Sequence, residues 1–324
     1  MNIKTKLAAV CLGLAFSCSV MAQDAYPNRP IRLIVGFPAG QATDVIARMA
    51  ARKMQETLGQ PVVVENKPGA AGIIGSELVS KAAPDGYTLL VGSSGTMAIN
   101  PSLYSKLPYH PLKDFEPVTL LSTVPLFFAV NPAFPAQNVA DLVRLAKAEP
   151  GKVTYGSAGS GVTGHLTMEL FKHTQGIDMT HVPYKGSPAA VTDLISGQIN
   201  TMVDTGPALL PHMRSGKVRV IAVASGKRNA AAPDVPTVAE SGLGSFETPA
   251  WIGLAAPKGT PKEVIAKLNQ VFVKNWRDAA DVTAQLNNLG AEPAAQSPEE
   301  FSKFIQTEMD KWALAVRVSG AKVD

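Results

Sequence analysis

Cysteine is nearly absent from this sequence. Its 324 residues include two, Cys11 and Cys18. Both fall before Gln23, so a chain that loses this segment has no thiol, which excludes disulfides, a cysteine nucleophile and thiolate metal ligands. Long apolar runs are missing too. Leu7–Val20 is too short to span a bilayer, and nothing later approaches about 18 uninterrupted apolar residues. Charge is nearly balanced, with 30 basic against 26 acidic residues for a net +4, and the basic residues are scattered. That excludes the basic footprint of a nucleic-acid binder. There is no short-period repeat and no low-complexity tract. Common enzyme signatures are also lacking. No serine carries glycine two residues before and two after, no H-E-x-x-H helix occurs, and no Rossmann fingerprint follows a strand.

What is present begins with an export signal. Lys4 and Lys6 precede the apolar run, and Val20-Met21-Ala22 fits a cleavage site before Gln23, giving a removed segment 1–22. A lipoprotein with Cys18 as the modified residue is the alternative, and Ala15 and Phe16 fit it poorly.

Strand and helix signals then alternate. Ile31–Val35, Val62–Glu65 and Thr88–Val91 read as buried strands, separated by helices over about 43–58 and 71–82, the first ended by Gly59. The pattern restarts after Pro125. Strands 127–130, 153–155, 180–184, 199–203 and 218–223 alternate with helices that follow Asn138, Val162, Ser187 and Gly206. This predicts an α/β fold with parallel sheets. The final third reads as helical. Thr260-Pro261-Lys262-Glu263 and Ser297-Pro298-Glu299-Glu300 both have the capping-box pattern, and Phe301, Phe304, Ile305, Met309, Trp312 and Val316 keep a helical period. Two units are expected, one of residues 23–124 with 225–324, the other of residues 125–224 inserted into it. Two crossings make a hinge, with a cleft at the carboxyl ends of the strands.

The turns after the strands carry the chemistry. After Ile31–Val35 comes Gly36-Phe37-Pro38-Ala39-Gly40, then Gln41 and a helix. Small residues at a helix N-terminus let an anion approach backbone amides, and no cation sits between Gly36 and Asp44. Asp44, in the first helical turn, complements the dipole and reads as structural. A second such turn, Gly156-Ser157-Ala158-Gly159-Ser160-Gly161-Val162-Thr163, adds hydroxyl donors before His165. Alone it reads rather as a flexible strand-to-helix turn with capping serines; paired with the first, it makes a two-sided anion clamp. Gly92-Ser93-Ser94-Gly95-Thr96 adds Ser93 and Thr96, against the alternative of a solvent-facing polar loop. Tyr184 and Gly186 end another strand. Asp204 would repel a carboxylate unless it meets a ligand amine or hydroxyl, and it otherwise caps the helix at Pro207. His165 and Glu169 share a helical face but make no metal site without further ligands. The candidate ligand-binding set is therefore Phe37, Ala39, Gly40, Gln41, Ser93, Thr96, Ser157, Ala158, Ser160, Thr163, His165, Tyr184, Gly186 and Asp204, with no metal, cofactor or catalytic residue.

The sequence resembles the substrate-binding proteins of tripartite tricarboxylate transporters, the Bug family. The resemblance rests on Tyr26-Pro27-x-Arg29-Pro30-Ile31, Phe37-x-Ala39-Gly40 with Asp44, Val64-Glu65-Asn66-Lys67-Pro68-Gly69-Ala70 and Ala83-Pro84-Asp85-Gly86-Tyr87. It continues through Asn100-Pro101, Asp114-Phe115, Gly156-Ser157-Ala158-Gly159, Val182-Pro183-Tyr184-Lys185-Gly186 and Ser215-Gly216-Lys217. It implies a periplasmic two-lobed fold, type II or Venus-flytrap, that closes on a small carboxylate, aliphatic or aromatic, and a membrane permease as docking partner, with the binding protein a monomer. The chain departs from the family in having Gln41 where a second glycine is usual. Two rival functions stay open: a periplasmic enzyme acting on a carboxylate or ester, and a ligand-sensing module that docks on a membrane sensor.

Overall fold

The computed structural model describes residues 26–321; the expected export signal and both cysteines lie outside the described residues. The strands are β1 (Ile31–Val35), β2 (Val62–Asn66), β3 (Thr88–Ser93), β4 (Phe115–Val124), β5 (Leu126–Val130), β6 (Thr154–Ser157), β7 (Thr180–Pro183), β8 (Thr201–Thr205), β9 (Arg219–Val223), β10 (Ala250–Pro257) and β11 (Glu292–Pro293). The helices are α1 (Ala42–Leu58), α2 (Ile73–Ser80), α3 (Asn100–Leu103), α4 (Val139–Ala148), α5 (Thr163–Gln175), α6 (Ser187–Ser196), α7 (Gly206–Arg214), α8 (Lys262–Asn275), α9 (Ala280–Asn288) and α10 (Pro298–Ser319).

Two sheets result, in the orders β11–β4–β10–β3–β1–β2 and β7–β6–β8–β5–β9. Each is the centre of one lobe. In the first, β1 is parallel to β2 and β3, and Ile31, Leu33, Ile34 and Val35 are buried on its two faces while Arg32 stays exposed and pairs with Glu65 of β2. Ile31, Leu33 and Val35 pack toward α1 and α8, while Ile34 packs toward α10. In the second, Phe128 and Tyr155 pack toward α4 and α5, and Phe127 and Met202 toward α6 and α7.

The sheets are mixed rather than purely parallel. β10 is antiparallel to β3 and β4, and β5 is antiparallel to β8 and β9. The final third is not all helical either, since β10 and β11 complete the first sheet. The run Ala250-Trp251-Ile252-Gly253-Leu254-Ala255-Ala256 hides its strand because alanine and glycine have weak strand preference. In β4 the same concealment comes from Pro117. That strand tolerates it because β11 covers only Ser122 and Thr123, leaving one edge open where Pro117 sits.

The chain passes between the sheets from Val124 to Leu126 and returns before Ala250. This return lies beyond residue 225, the point at which the sequence pattern places it. Instead Ala232, Val235, Val238 and Phe246 pack in the second lobe's core, and the Thr248 amide donates to the Ala224 carbonyl. The two capping boxes also part ways. Ser297 and Glu300 exchange both bonds at the start of α10. Thr260 turns its hydroxyl to the Pro257 carbonyl, and Pro261 stands at the cap of α8 with no side-chain cap.

Candidate functional site

The carboxyl ends of β1, β2 and β3 present three turns. In the first, Gly40 has φ +85° and open space around it, and Ala39, Gly40 and Gln41 are exposed. Gln41 stands at the N-cap of α1 without a side-chain cap bond, which leaves the helix's first-turn amides to other acceptors. The Gly40 amide is already committed. It donates to Asp44 Oδ2 at 2.8 Å, where Arg48 Nε also donates at 3.0 Å, while Asn66 Nδ2 donates to Asp44 Oδ1 at 2.9 Å and to the Phe37 carbonyl at 3.0 Å. Burial alone would raise the Asp44 carboxyl. Bonds from Arg48, the Gly40 amide and Asn66 outweigh it and hold the group below its ordinary range. Asp44 is thus the structural brace its position implied, and Gly40 contributes shape rather than its own amide.

The second turn was not among the candidates. Gly69, Ala70, Ala71 and Gly72 have φ of +138°, +45°, +52° and +85° in succession. Two alanines held at positive φ are strained, a state that persists only where surrounding structure imposes it. A Cβ on Gly72 would lie 2.6 Å from Thr96 Cγ2 and 3.2 Å from Phe37 Cζ, so the turn brings Phe37 and Thr96 together. The signal was in the sequence: a glycine-bounded turn after β2, in the position that the Phe37 turn takes after β1.

The third turn folds on itself. The Ser93 amide donates to Thr96 Oγ1 at 3.0 Å and the Thr96 amide to Ser93 Oγ at 3.4 Å, so these buried hydroxyls shape the turn. Ser94, between them, is buried and faces the other lobe. Its Oγ lies 3.4 Å from Thr163 Oγ1.

The opposing wall comes from β6, β7 and β8. Thr163 opens α5, whose N-cap, Val162, gives no side-chain bond. Ser160 is exposed, and Ala158 is half-buried. Ser157 is fully buried; its hydroxyl donates to the Gly159 carbonyl at 2.9 Å and lies 2.7 Å from His181 Nε2. Tyr184 and Gly186 close the wall from β7, their amides donating to the Ser157 and Ala158 carbonyls at 3.0 Å each. Burial, with a 2.7 Å bond to Asp193 and its charge, pushes the Tyr184 phenol up to about 12. Asp204 does not cap α7, whose cap position is Thr205. It accepts from Ser187 Oγ at 2.6 Å and from the Thr205 amide at 2.7 Å, tying the starts of α6 and α7 together. Burial raises its carboxyl despite those bonds.

The lobes touch in more than one place: Leu166 of α5 packs in the core beside α10, and Gly206 lies against Leu289 and Gly290 of the first lobe. Gly161 has φ +75°, and a Cβ there would lie 2.2 Å from Leu103 Cδ2 of the first lobe. A separate groove of about 320 Å³ lies between α6 and α7, lined by Val191, Ile195, Ala208 and His212 among others. It does not include the facing turns, which gather the polar groups. Among the described residues no cluster of histidine and carboxylate side chains could hold a metal ion.

The sequence model of the tripartite tricarboxylate transporter family receptor matches residues 46–320. Protein BugT of Bordetella pertussis is 40% identical over the full length of both chains. An R. palustris protein solved with adipate is 36% identical with a TM-score of 0.84, covering 92% of this chain and 100% of that one. MatC from Rhodopseudomonas palustris, solved with bound malate, is 35% identical with a TM-score of 0.78, covering 90% of this chain and 100% of that one.

Proposed function

Because this chain belongs to the tripartite tricarboxylate transporter receptor family, we propose that it is a periplasmic solute-binding protein. It captures a small carboxylate by lobe closure and delivers it to a membrane permease, acting as a monomer after loss of residues 1–22. The observation that carries this reading is the approach of Ser94 and Thr163, which puts the turns of both lobes against one space. The adipate and malate in the two related structures support the ligand class.

The mechanism follows from the donors. An anion enters the open cleft and meets the uncapped first-turn amides of α1 and the hydroxyl of Ser94. Closure then adds Thr163 and the amides at the start of α5, so the liganded closed form gains contacts the open form lacks. Hydrogen bonds to a charged group contribute about 1.5–3 kcal/mol each. Micromolar affinity needs about 8 kcal/mol net of ordering costs, which one wall cannot supply. The chain crossings at Val124–Leu126 and just before Ala250 act as the hinge.

An enzyme would draw on Ser157 and His181, which have the spacing of a nucleophile and its base. Ser157 is fully buried and its hydroxyl serves the Gly159 carbonyl, so binding without chemistry is the better fit. A melting-temperature screen with adipate, malate, citrate and benzoate tests the proposal, followed by mass spectrometry of recovered ligand. At least one carboxylate should raise the melting point and return unchanged. No shift with any of them, or a converted ligand, would overturn it.

A further inference from the structure

Behind the Ser157–Thr163 turn lies a group of side chains that the capture mechanism does not use. His165 of α5 and His181 of β7 stack with ring centroids 4.0 Å apart and planes 24° from parallel. Tyr155 of β6 stacks on His181 in turn, at 4.8 Å and 19°. The Tyr155 hydroxyl donates to Glu169, which also pairs with Lys172 at 2.7 Å. Residues 165, 169 and 172 share one face of α5, so a single helix face is bonded to the strand that ends in the turn.

Both imidazoles reach into the turn itself. The Gly161 amide donates to His165 Nδ1 at 3.0 Å, and His181 Nε2 lies 2.7 Å from Ser157 Oγ. Nδ1 of His165 must therefore be bare, which places its proton on Nε2 in a neutral ring. Tyr155, Glu169 and Lys172 are the other titratable groups against the pair, and Glu169 and Lys172 oppose each other in sign. Burial first, and the neighbouring ring second, hold His165 down to about 4, and burial lowers His181 as well.

We propose that His165 and His181 are positioning residues that hold the Ser157–Thr163 turn in its ligand-ready shape, His165 through the Gly161 amide and His181 through the Ser157 hydroxyl. Gly161 has left-handed φ and Gly159 has φ +145°, so the turn between them has little local preference for one shape. Two fixed acceptor and donor points at its ends supply what the glycines do not. Neutral rings do this without adding a cation, so the turn still offers the anion only amides and hydroxyls. The inference rests on the carboxylate-capture reading for its ligand arm alone.

The test uses the mature chain and four variants. His165→Phe and His181→Phe keep a stackable ring and remove the nitrogen. His165→Asn restores an acceptor near Nδ1, and His181→Gln restores a polar group near Nε2. The ligand arm is calorimetry with whichever of adipate, malate, citrate or benzoate binds the unaltered protein. Each Phe variant should lose affinity by about tenfold or more, and Asn and Gln should recover most of it. The ligand-free arm is amide exchange of Gly161 by NMR, faster in His165→Phe and protected again in His165→Asn. Wild-type affinity in both Phe variants, or His165→Asn as impaired as His165→Phe in both arms, overturns the proposal. If the unaltered protein binds no carboxylate, the capture reading fails, while the Gly161 exchange still decides the positioning role.

Discussion

Ser94 and Thr163 face each other across the cleft, Oγ to Oγ1 at 3.4 Å, from turns 69 positions apart in the chain. Each follows a strand of a different sheet, so the pair exists only when the lobes are together. Ser94→Ala and Thr163→Val should each weaken carboxylate binding by about tenfold or more, since each removes one hydrogen bond to a charged group. The double variant should lose less than the product of the two, because the groups share one site. Calorimetry on the four proteins checks this; unchanged affinity in both single variants would remove the hydroxyls from the site.

Gly161 is one close-contact point between the lobes, beside the facing turns. An alanine Cβ there would overlap Leu103 Cδ2 and would also require φ +75°. Gly161→Ala should therefore wedge the lobes apart. Small-angle scattering with saturating ligand should give a larger radius of gyration for the variant than for the unaltered protein. Equal values would mean that Leu103 moves aside.

Asp44 braces the first turn through Gly40, Arg48 and Asn66. Its side chain is 3% exposed, whereas Arg48 is 53% exposed and can turn to water. Asn66, half-buried, cannot do so as freely. Asp44→Ala should cost about 1–3 kcal/mol of stability, measured by urea unfolding. A midpoint unchanged from the parent would show that solvent replaces the carboxylate fully.

Ala70 and Ala71 carry positive φ. Glycine accepts this backbone without strain, so Ala71→Gly should raise the melting temperature slightly, against the usual trend for a glycine substitution. A fall in melting temperature by differential scanning calorimetry would show that the alanine methyl is needed for packing.

Acid should destabilise the protein in two stages. His165 is held from 6.5 down to about 4, so the unfolded chain binds the proton first as pH falls. Its contribution is complete above the unfolded value and is lost between about pH 6.5 and 4, a change of roughly 3 kcal/mol for this buried ring. Glu65 behaves as an acid paired with Arg32, whose hydrogen bond is the main cause of its fall from 4.5 to about 2. Its contribution is lost only as pH falls through that lower window. Urea midpoints from pH 8 to 2 check this, and His165→Asn should reduce the upper stage, to which His181 also contributes, while leaving the lower one.

Much of this was legible in the sequence. β1 was bounded at Ile31–Val35, and Asn138 was read as the cap of α4, where it accepts from the Asp141 amide. These are local matters of apolar runs and side-chain caps. β4 and β10 were not legible, because a proline and a small-residue run become strands only when neighbours pair with them. The turn at Ala70 and Ala71 is legible only as a glycine-bounded segment after β2, because alanine gives no hint of its left-handed backbone.

Contiguous residues alone set the alternation of strand and helix, the placing of glycine-bounded turns after strands, the shortage of cations in those turns, and the family. Those properties are written in contiguous residues and survive without neighbours. Tertiary structure decided how the hydrogen-bonding groups of those turns are spent. Gly40, Gly161, Gly186 and Ser157 spend a bond on Asp44, His165, Ala158 and Gly159, while Ser94 and Thr163 are turned toward each other. Hydrogen-bonding capacity belongs to a residue type, but its allocation depends on which distant chain segments fold within about 3 Å of it.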